Sequence, residues 1–246
     1  MLNRRCMTAW RLFRSGKIKE LGTRTLRFLT SLSDKKEELK YSEWRKEWVE
    51  LTKEEKQKVK QHINGLTQHP YFSVLLDAQG QASASIFKTI ESIVVQLYPN
   101  WTLWVTNYDS LDEDLQQKIL ELQDSRIKLD DSYTSELCDW VIELKPGTKL
   151  DEKALFSNAF SISNNPEIKI VYSDHDHIDK SDNYCDPYMK PDWNPDLFAA
   201  MNYFGPLVVC EKELWETYRS QKSGQHEFLL KSAESLSDDE IFHISD

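Results

Sequence analysis

The sequence predicts an α/β fold: a doubly wound, mostly parallel sheet with helices on both faces, preceded by N-terminal helices. Three observations predict it. From residue 71 onward short apolar runs alternate with segments whose apolar residues recur every three or four positions, the pattern of strands joined by crossover helices. Before residue 71 the pattern is helical and highly charged, with no strand-like run. Finally, 246 residues with 39% hydrophobic and 11% aromatic content can fill a packed interior, which excludes wholesale disorder.

Taken in order, residues 1–32 place Ile18, Leu21, Thr25, Phe28 and Leu32 on one helical face among lysines and arginines, and Gly16 and Gly22 divide the segment into two short helices. Residues 33–70 hold a charged linker at 33–38 and further helices. Trp44 and Trp48 stand one helical turn apart, and Thr52 with Glu55 forms a capping box opening a helix through Val59 and Ile63 that Gly65 and Pro70 close. The α/β domain spans 71–246. Strands are expected at 72–76, 101–105, 126–129, 140–144 and 168–172. Helices lie between them, on Ile86, Ile90, Ile93, Val94 and Leu97, then Leu111, Leu115, Ile119 and Leu122, then 155–160.

The net charge of −10 conceals an asymmetry, because residues 1–32 hold eight Lys/Arg against Glu20 alone. The acidic remainder, with no stripe of basic residues interleaved with aromatics, excludes general nucleic-acid binding. The basic arm at 1–32 is expected to touch an anionic membrane surface, or else to pack on the domain or a partner. Cys6, Cys138, Cys185 and Cys210 are scattered without a C-x-x-C pair, so reduced thiols in a cytoplasm are the simplest reading, and the basic arm adds a peripheral place on the inner face of the membrane to that expectation. The N-terminus lacks a signal-peptide pattern, and no run reaches the roughly 18 apolar residues of a membrane span.

In open α/β sheets ligands bind beyond the carboxyl ends of the strands. Those positions are Asp77, then Asn107, Tyr108 and Asp109, then Lys145, then Asp174, His175 and Asp176. The expectation is one pocket gathering Asp77, Asp109, Asp174 and Asp176.

The stretch Tyr172-Ser173-Asp174-His175-Asp176-His177-Ile178-Asp179, followed by Pro187-Tyr188-Met189-Lys190-Pro191-Asp192-Trp193-Asn194-Pro195-Asp196-Leu197 and Asn202-Tyr203, closely resembles a block of bacterial family 2 glycosyltransferases, which build cell-surface polysaccharide. Upstream, Phe72-Ser73-Val74-Leu75-Leu76 and Thr89-Ile90-Glu91-Ser92-Ile93-Val94 are similar to that family's first strand and helix. The resemblance covers most of the chain. It implies a GT-A fold that binds a nucleotide diphosphate sugar, usually with a divalent metal, Mn²⁺ or Mg²⁺, and passes the sugar to a glycan or lipid-linked acceptor. By the same resemblance Asp77, Asp109, Asp174 and Asp176 face the donor, and Asp192, Trp193, Asn194, Asp196 and Asn202 shape the acceptor side.

The departures are as informative. Asn107-Tyr108 stands where the family has paired Asp residues that hold the nucleoside, and only twelve residues separate Arg126 from Asp139, where the family spends about a helix more. The family's metal-binding Asp-x-Asp falls on Lys145-Pro146-Gly147. Lysine cannot ligate these hard cations, which require oxygen. Asp174 and Asp176, with Asp179, are candidate replacement ligands, or else carboxylates capping their own loop. Lys145 reads as an exposed turn residue, with the second reading a fixed positive charge where the metal used to sit. Trp193 stacks on a sugar or anchors its loop, and Asp196 in that case caps a helix.

Near the C-terminus Gln225-His226-Glu227-Phe228-Leu229-Leu230-Lys231 resembles a helix start whose first Asp is the family's base. That Asp is Gln225 here, which leaves Glu227 as the nearby carboxylate able to accept a proton, or as a residue that merely favours the helix N-terminus. Two functions follow: sugar transfer from a nucleotide diphosphate donor, or an inactive GT-A domain that binds or scaffolds active glycosyltransferases.

Overall fold

A computed structural model describes residues 41–131, 133–134, 138–219 and 224–245. The basic arm at 1–32 and the linker at 33–38 lie outside the described residues. The chain divides into two units, Met1–Trp44 and Arg45–Asp246. In the described part of the first, the rings of Tyr41 and Trp44 stack at 5.7 Å. These residues belong to helix α1 (Tyr41–Trp48).

In the larger unit, helix α2 (Lys53–Asn64) begins at the capping box read from the sequence: Thr52 accepts from the Glu55 N–H while the Glu55 carboxylate accepts from the Thr52 N–H. Strands β1 (Phe72–Asp77), β2 (Trp101–Thr106), β3 (Ile127–Leu129) and β4 (Trp140–Leu144) follow, linked by α3 (Ser83–Val94) and α4 (Glu113–Glu121). They pair in parallel, Phe72 with both Trp101 and Trp140. Helix α5 (Ala154–Asn164) then leads into β5 (Ile170–Ser173).

The second half is less regular. A hairpin of β6 (His175–Ile178) and β7 (Tyr184–Tyr188) precedes α6 (Pro195–Ala200), β8 (Val208–Glu211), α7 (Lys212–Tyr218), α8 (Gln225–Ala233) and β9 (Ile241–Ile244). The seven-stranded sheet has the order β3-β2-β1-β4-β8-β5-β9. All its neighbours are parallel except β8, which runs antiparallel between β4 and β5. The sequence reading of a mostly parallel, doubly wound sheet therefore holds, with β8 as its reversed member.

Two cores result. Phe72, Val74, Leu76, Trp101, Leu103 and Val105 are fully buried with Ile86, Ile90, Ile93, Leu155 and Ala159 from α3 and α5. Tyr172, Phe198, Tyr203, Phe204 and Phe228 form the second. Each large apolar side chain removed from water here contributes about 1.5–3 kcal/mol. Among the described residues, no helix is long and apolar enough to cross a membrane.

Candidate active site at the carboxyl edge of the sheet

Strands β1, β2, β4 and β5 all point the same way, since β8 is antiparallel to both β4 and β5. Asp77, Asn107, Lys145 and Asp174 therefore emerge at one edge, as expected of a doubly wound sheet. The β1–β2–β3 corner is a tied loop. The Asn107 side-chain amide donates to Asp77 Oδ1 at 2.8 Å, and its backbone N–H donates to Asp131 Oδ1 at 2.6 Å. Asn107 is in the left-handed region, φ 54°, which asparagine tolerates better than most residues. Asp109 lies on the adjoining turn, Tyr108–Ser110, and is exposed.

Next along the edge is a cleft of about 270 Å³ lined by Glu143, Lys145, Asn202, Gly205, Pro206 and Gln225. Glu143 is held in place: its Oε1 accepts from Arg219 Nε at 2.6 Å and from the Trp215 indole N–H at 3.0 Å. Asn202 Oδ1 accepts from the Phe204 N–H at 3.2 Å, which shapes the loop that leads into Gly205. Gly205 has φ 78°, and a Cβ there would lie 2.7 Å from Lys190 Nζ and 2.9 Å from His175 Nδ1. Only glycine fits both the backbone and the space.

Behind that glycine the charge is buried. The Lys190 ammonium, 1% exposed, donates to the carbonyls of Ser173 and Phe204. Burial lowers its pKa to about 8, against the opposing pull of Asp174. His175 is pushed down to about 4, by burial first and then by the charges of Lys190 and His177, and its Nδ1 has no hydrogen-bond partner in the structure. Asp174 Oδ1 accepts from the Lys190 N–H at 2.7 Å and lies 2.9 Å from His243 Nε2. Asp176 faces elsewhere, with Oδ2 3.6 Å from Arg45 Nε, and Arg45 also approaches Asp151 at 3.5 Å and lies 3.7 Å over the Tyr184 ring.

These partners bear on the metal expectation. A hard divalent cation needs several oxygen donors converging on one point. Asp174 and Asp176 are turned to different partners, and Lys145 occupies the alternative position. Among the described residues no three His, Cys, Asp or Glu side chains are grouped to hold a metal ion. The donor set does not fit a divalent cation as it is arranged here.

Asp192 is 90% exposed with Oδ1 3.3 Å from His243 Nδ1, so His243 stands between Asp174 and Asp192. The Trp193 indole donates to Asp238 at 3.0 Å and packs against Phe198 and Phe204, so it anchors its loop. The cap of α6 is Asn194, which accepts from the Leu197 N–H at 2.9 Å, and Asp196 sits inside the first turn. The alternative that gave Asp196 the capping role is thus corrected: the side chain one residue before Pro195 reaches the free amide. Glu227 lies on α8, half-exposed and paired with Lys231 at 2.7 Å. Gln225, two residues earlier and so about 200° around the helix, lines the cleft. Sequence reasoning missed Glu143, Lys190, Gly205 and His243. Glu143 left a trace as a charge inside an apolar strand, whereas the other three gave no local signal.

No protein-family model matches the chain. It is 28% identical over 203 residues, 74% of its length, to the uncharacterized protein y4gI of Sinorhizobium fredii (strain NBRC 101917 / NGR234). It is 23% identical over 201 residues, again 74% of its length, to the O-antigen biosynthesis protein RfbC of Myxococcus xanthus. The alignments take up 22% and 16% of those proteins, so the chain spans about a fifth of the curated relatives it matches. Among solved structures it is similar to S. aureus TarS 1–349, with TM-score 0.50 at 13% identity, covering 72% of this chain and 58% of that one. The mannosyltransferase PcManGT of Pyrobaculum calidifontis, in complex with GDP-Man and Mn²⁺, gives TM-score 0.46 at 12% identity, covering 73% and 56%. The likeness to TarS is one of fold: the chain has a mixed α/β architecture of the GT-A kind.

Proposed function

We propose that this chain is a GT-A domain that binds a nucleotide diphosphate sugar and serves the building of a cell-surface polysaccharide by glycosyl transfer. The observation that carries this reading is the carboxyl edge of the sheet. There Asp77, Asn107 and Asp131 form a tied polar corner beside a cleft lined by Glu143, Lys145, Asn202 and Gln225. A polar corner suits a nucleoside and an adjacent cationic, amide-lined cleft suits a diphosphate. Similarity to an O-antigen biosynthesis protein supports the polysaccharide context. In this reading Asp77, Asp109, Asp174 and Asp176 border the donor, Asp192, Trp193, Asn194, Asp196 and Asn202 border a glycan or lipid-linked acceptor, and Glu227 is the candidate base. Cytoplasmic location, with residues 1–32 on the membrane, belongs to the same proposal.

A second reading, in which the domain binds donor or partner glycosyltransferases without turnover, is favoured by one observation. The residue in the cleft is Gln225, which has no useful proton affinity, while Glu227 is engaged with Lys231. Titration of the chain with UDP, dTDP and GDP, each with and without Mn²⁺, tests the shared premise. Binding of one of them is expected, and no binding of any overturns donor recognition.

A further inference from the structure

The end of β4 is where a GT-A protein would place carboxylates for a metal, and here it places a lysine in the cleft wall. We propose that Lys145 supplies the positive charge that holds the diphosphate of a nucleotide diphosphate in this cleft, so that binding does not require a divalent metal. The inference rests on the nucleotide-sugar reading above.

Three observations carry it. First, the backbone of Lys145 is fixed although its side chain is exposed. The Thr148 N–H donates back to the Lys145 carbonyl at 3.0 Å, with Pro146 and Gly147 (φ 94°) at the turn's centre. Proline presets the first central residue of such a turn and glycine accepts the left-handed second one. The Gly147 N–H in turn donates to the Ser85 carbonyl at 3.1 Å and to Thr89 Oγ1 at 2.9 Å, which ties the turn to α3. The lysine therefore rises from a rigid base.

Second, Lys145 is the uncompensated charge of the cleft. Glu143 beside it is matched by Arg219 at 2.6 Å, and Asn202, Gly205, Pro206 and Gln225 are neutral. Among the described residues Lys145 makes no ion pair. Third, the edge carboxylates that would complete a cation site are engaged by protein partners: Asp174 by His243 and the Lys190 N–H, Asp176 by Arg45. An ammonium against phosphate oxygens gives a charge-assisted hydrogen bond, roughly twice as strong as a neutral one.

The test is calorimetric titration of the full chain with UDP and GDP, in EDTA and again with Mn²⁺. Binding is expected in EDTA, changed less than about threefold by Mn²⁺. Lys145→Ala weakens it on the order of tenfold, the scale of one charge-assisted bond. Lys145→Arg retains most of it, and Lys180→Ala, an exposed lysine between β6 and β7, leaves it unchanged. Thermal melting of each variant accompanies the titration, and Lys145→Gln replaces the alanine variant if that one melts early. Binding that appears only with Mn²⁺, or EDTA-resistant binding indifferent to Lys145, overturns this proposal and leaves nucleotide recognition standing. No binding of either nucleotide under both conditions overturns the nucleotide reading and this proposal with it.

Discussion

Asp174 and His243 are locked together at the far edge of the sheet, with His243 Nε2 2.9 Å from Asp174 Oδ1 and the side chains of His243 and Asp174 4% and 10% exposed. The Tyr172 ring stacks on the imidazole at 4.8 Å. Because His243 belongs to β9 and Asp174 directly follows β5, this bond pins the edge strand from its side chains as well as its backbone. Asp174→Ala leaves both the imidazole and the Lys190 N–H without their acceptor. It is expected to destabilise the fold by about 1–3 kcal/mol in urea denaturation. Full stability in that variant would mean the carboxylate is available to a ligand instead.

The pH dependence of stability follows from His175. An unfolded histidine takes up its proton near 6.5, whereas burial and Lys190 hold the folded one to about 4. Between those values the unfolded chain binds more protons, so this group lowers stability as pH falls through the window and contributes no change above it. Denaturation at pH 7 and pH 5 should show a smaller loss in His175→Gln than in the parent. An equal loss in both proteins would remove His175 as the cause.

Gly205→Ala should be poorly tolerated. Its φ of 78° disfavours any Cβ, and the Cβ would meet Lys190 Nζ at 2.7 Å. The ammonium cannot simply withdraw, because it is bonded to the Ser173 and Phe204 carbonyls. A loss of about 1–3 kcal/mol, with a lower melting temperature, is expected. A substitution made without loss would show that this wall of the cleft adjusts.

Glu227→Gln separates transfer from binding. If Glu227 is the base, the transfer rate falls by about 10²–10⁴ while donor affinity and melting temperature hold. If its role is confined to the Lys231 pair and the start of α8, the change costs a few tenths of a kcal/mol and leaves any transfer intact. Rate and melting measured on one preparation decide between them.

The sequence carried the first half of the fold better than the second, for physical reasons. Strands β1 and β4 are almost wholly buried and read as apolar runs, and α3 has one clear apolar face. Thr52 and Asp112 cap their helices with locally visible side chains. The β6–β7 hairpin, by contrast, is built from His-Asp-His-Ile against Tyr-Cys-Asp-Pro-Tyr, whose many polar residues give no strand signal, although His175 and Asp176 are half-buried. Strand β8 is four residues long and finds both partners far away in the chain. At the site, Lys145 was legible as a turn residue, but its place in a cleft depends on α8 and the loop around Gly205. Lys190 stands in the sequence only as one residue of the block at 187–197, since nothing local shows that two carbonyls enclose it.

The reversed strand β8 also sets the order in which the molecule can assemble. The pairs β1–β2 and β2–β3 join neighbours in the chain through short crossovers, but Trp140 must wait for Glu211 and Ile170 for Cys210. Such distant pairings slow folding, because the chain entropy lost in closing them is recovered only when they form. Until β8 arrives, β4 presents an open edge with Val141 and Ile142, a ready template for another chain. The last strand to dock in the middle of the sheet is thus the one that guards a newly made chain against its neighbours.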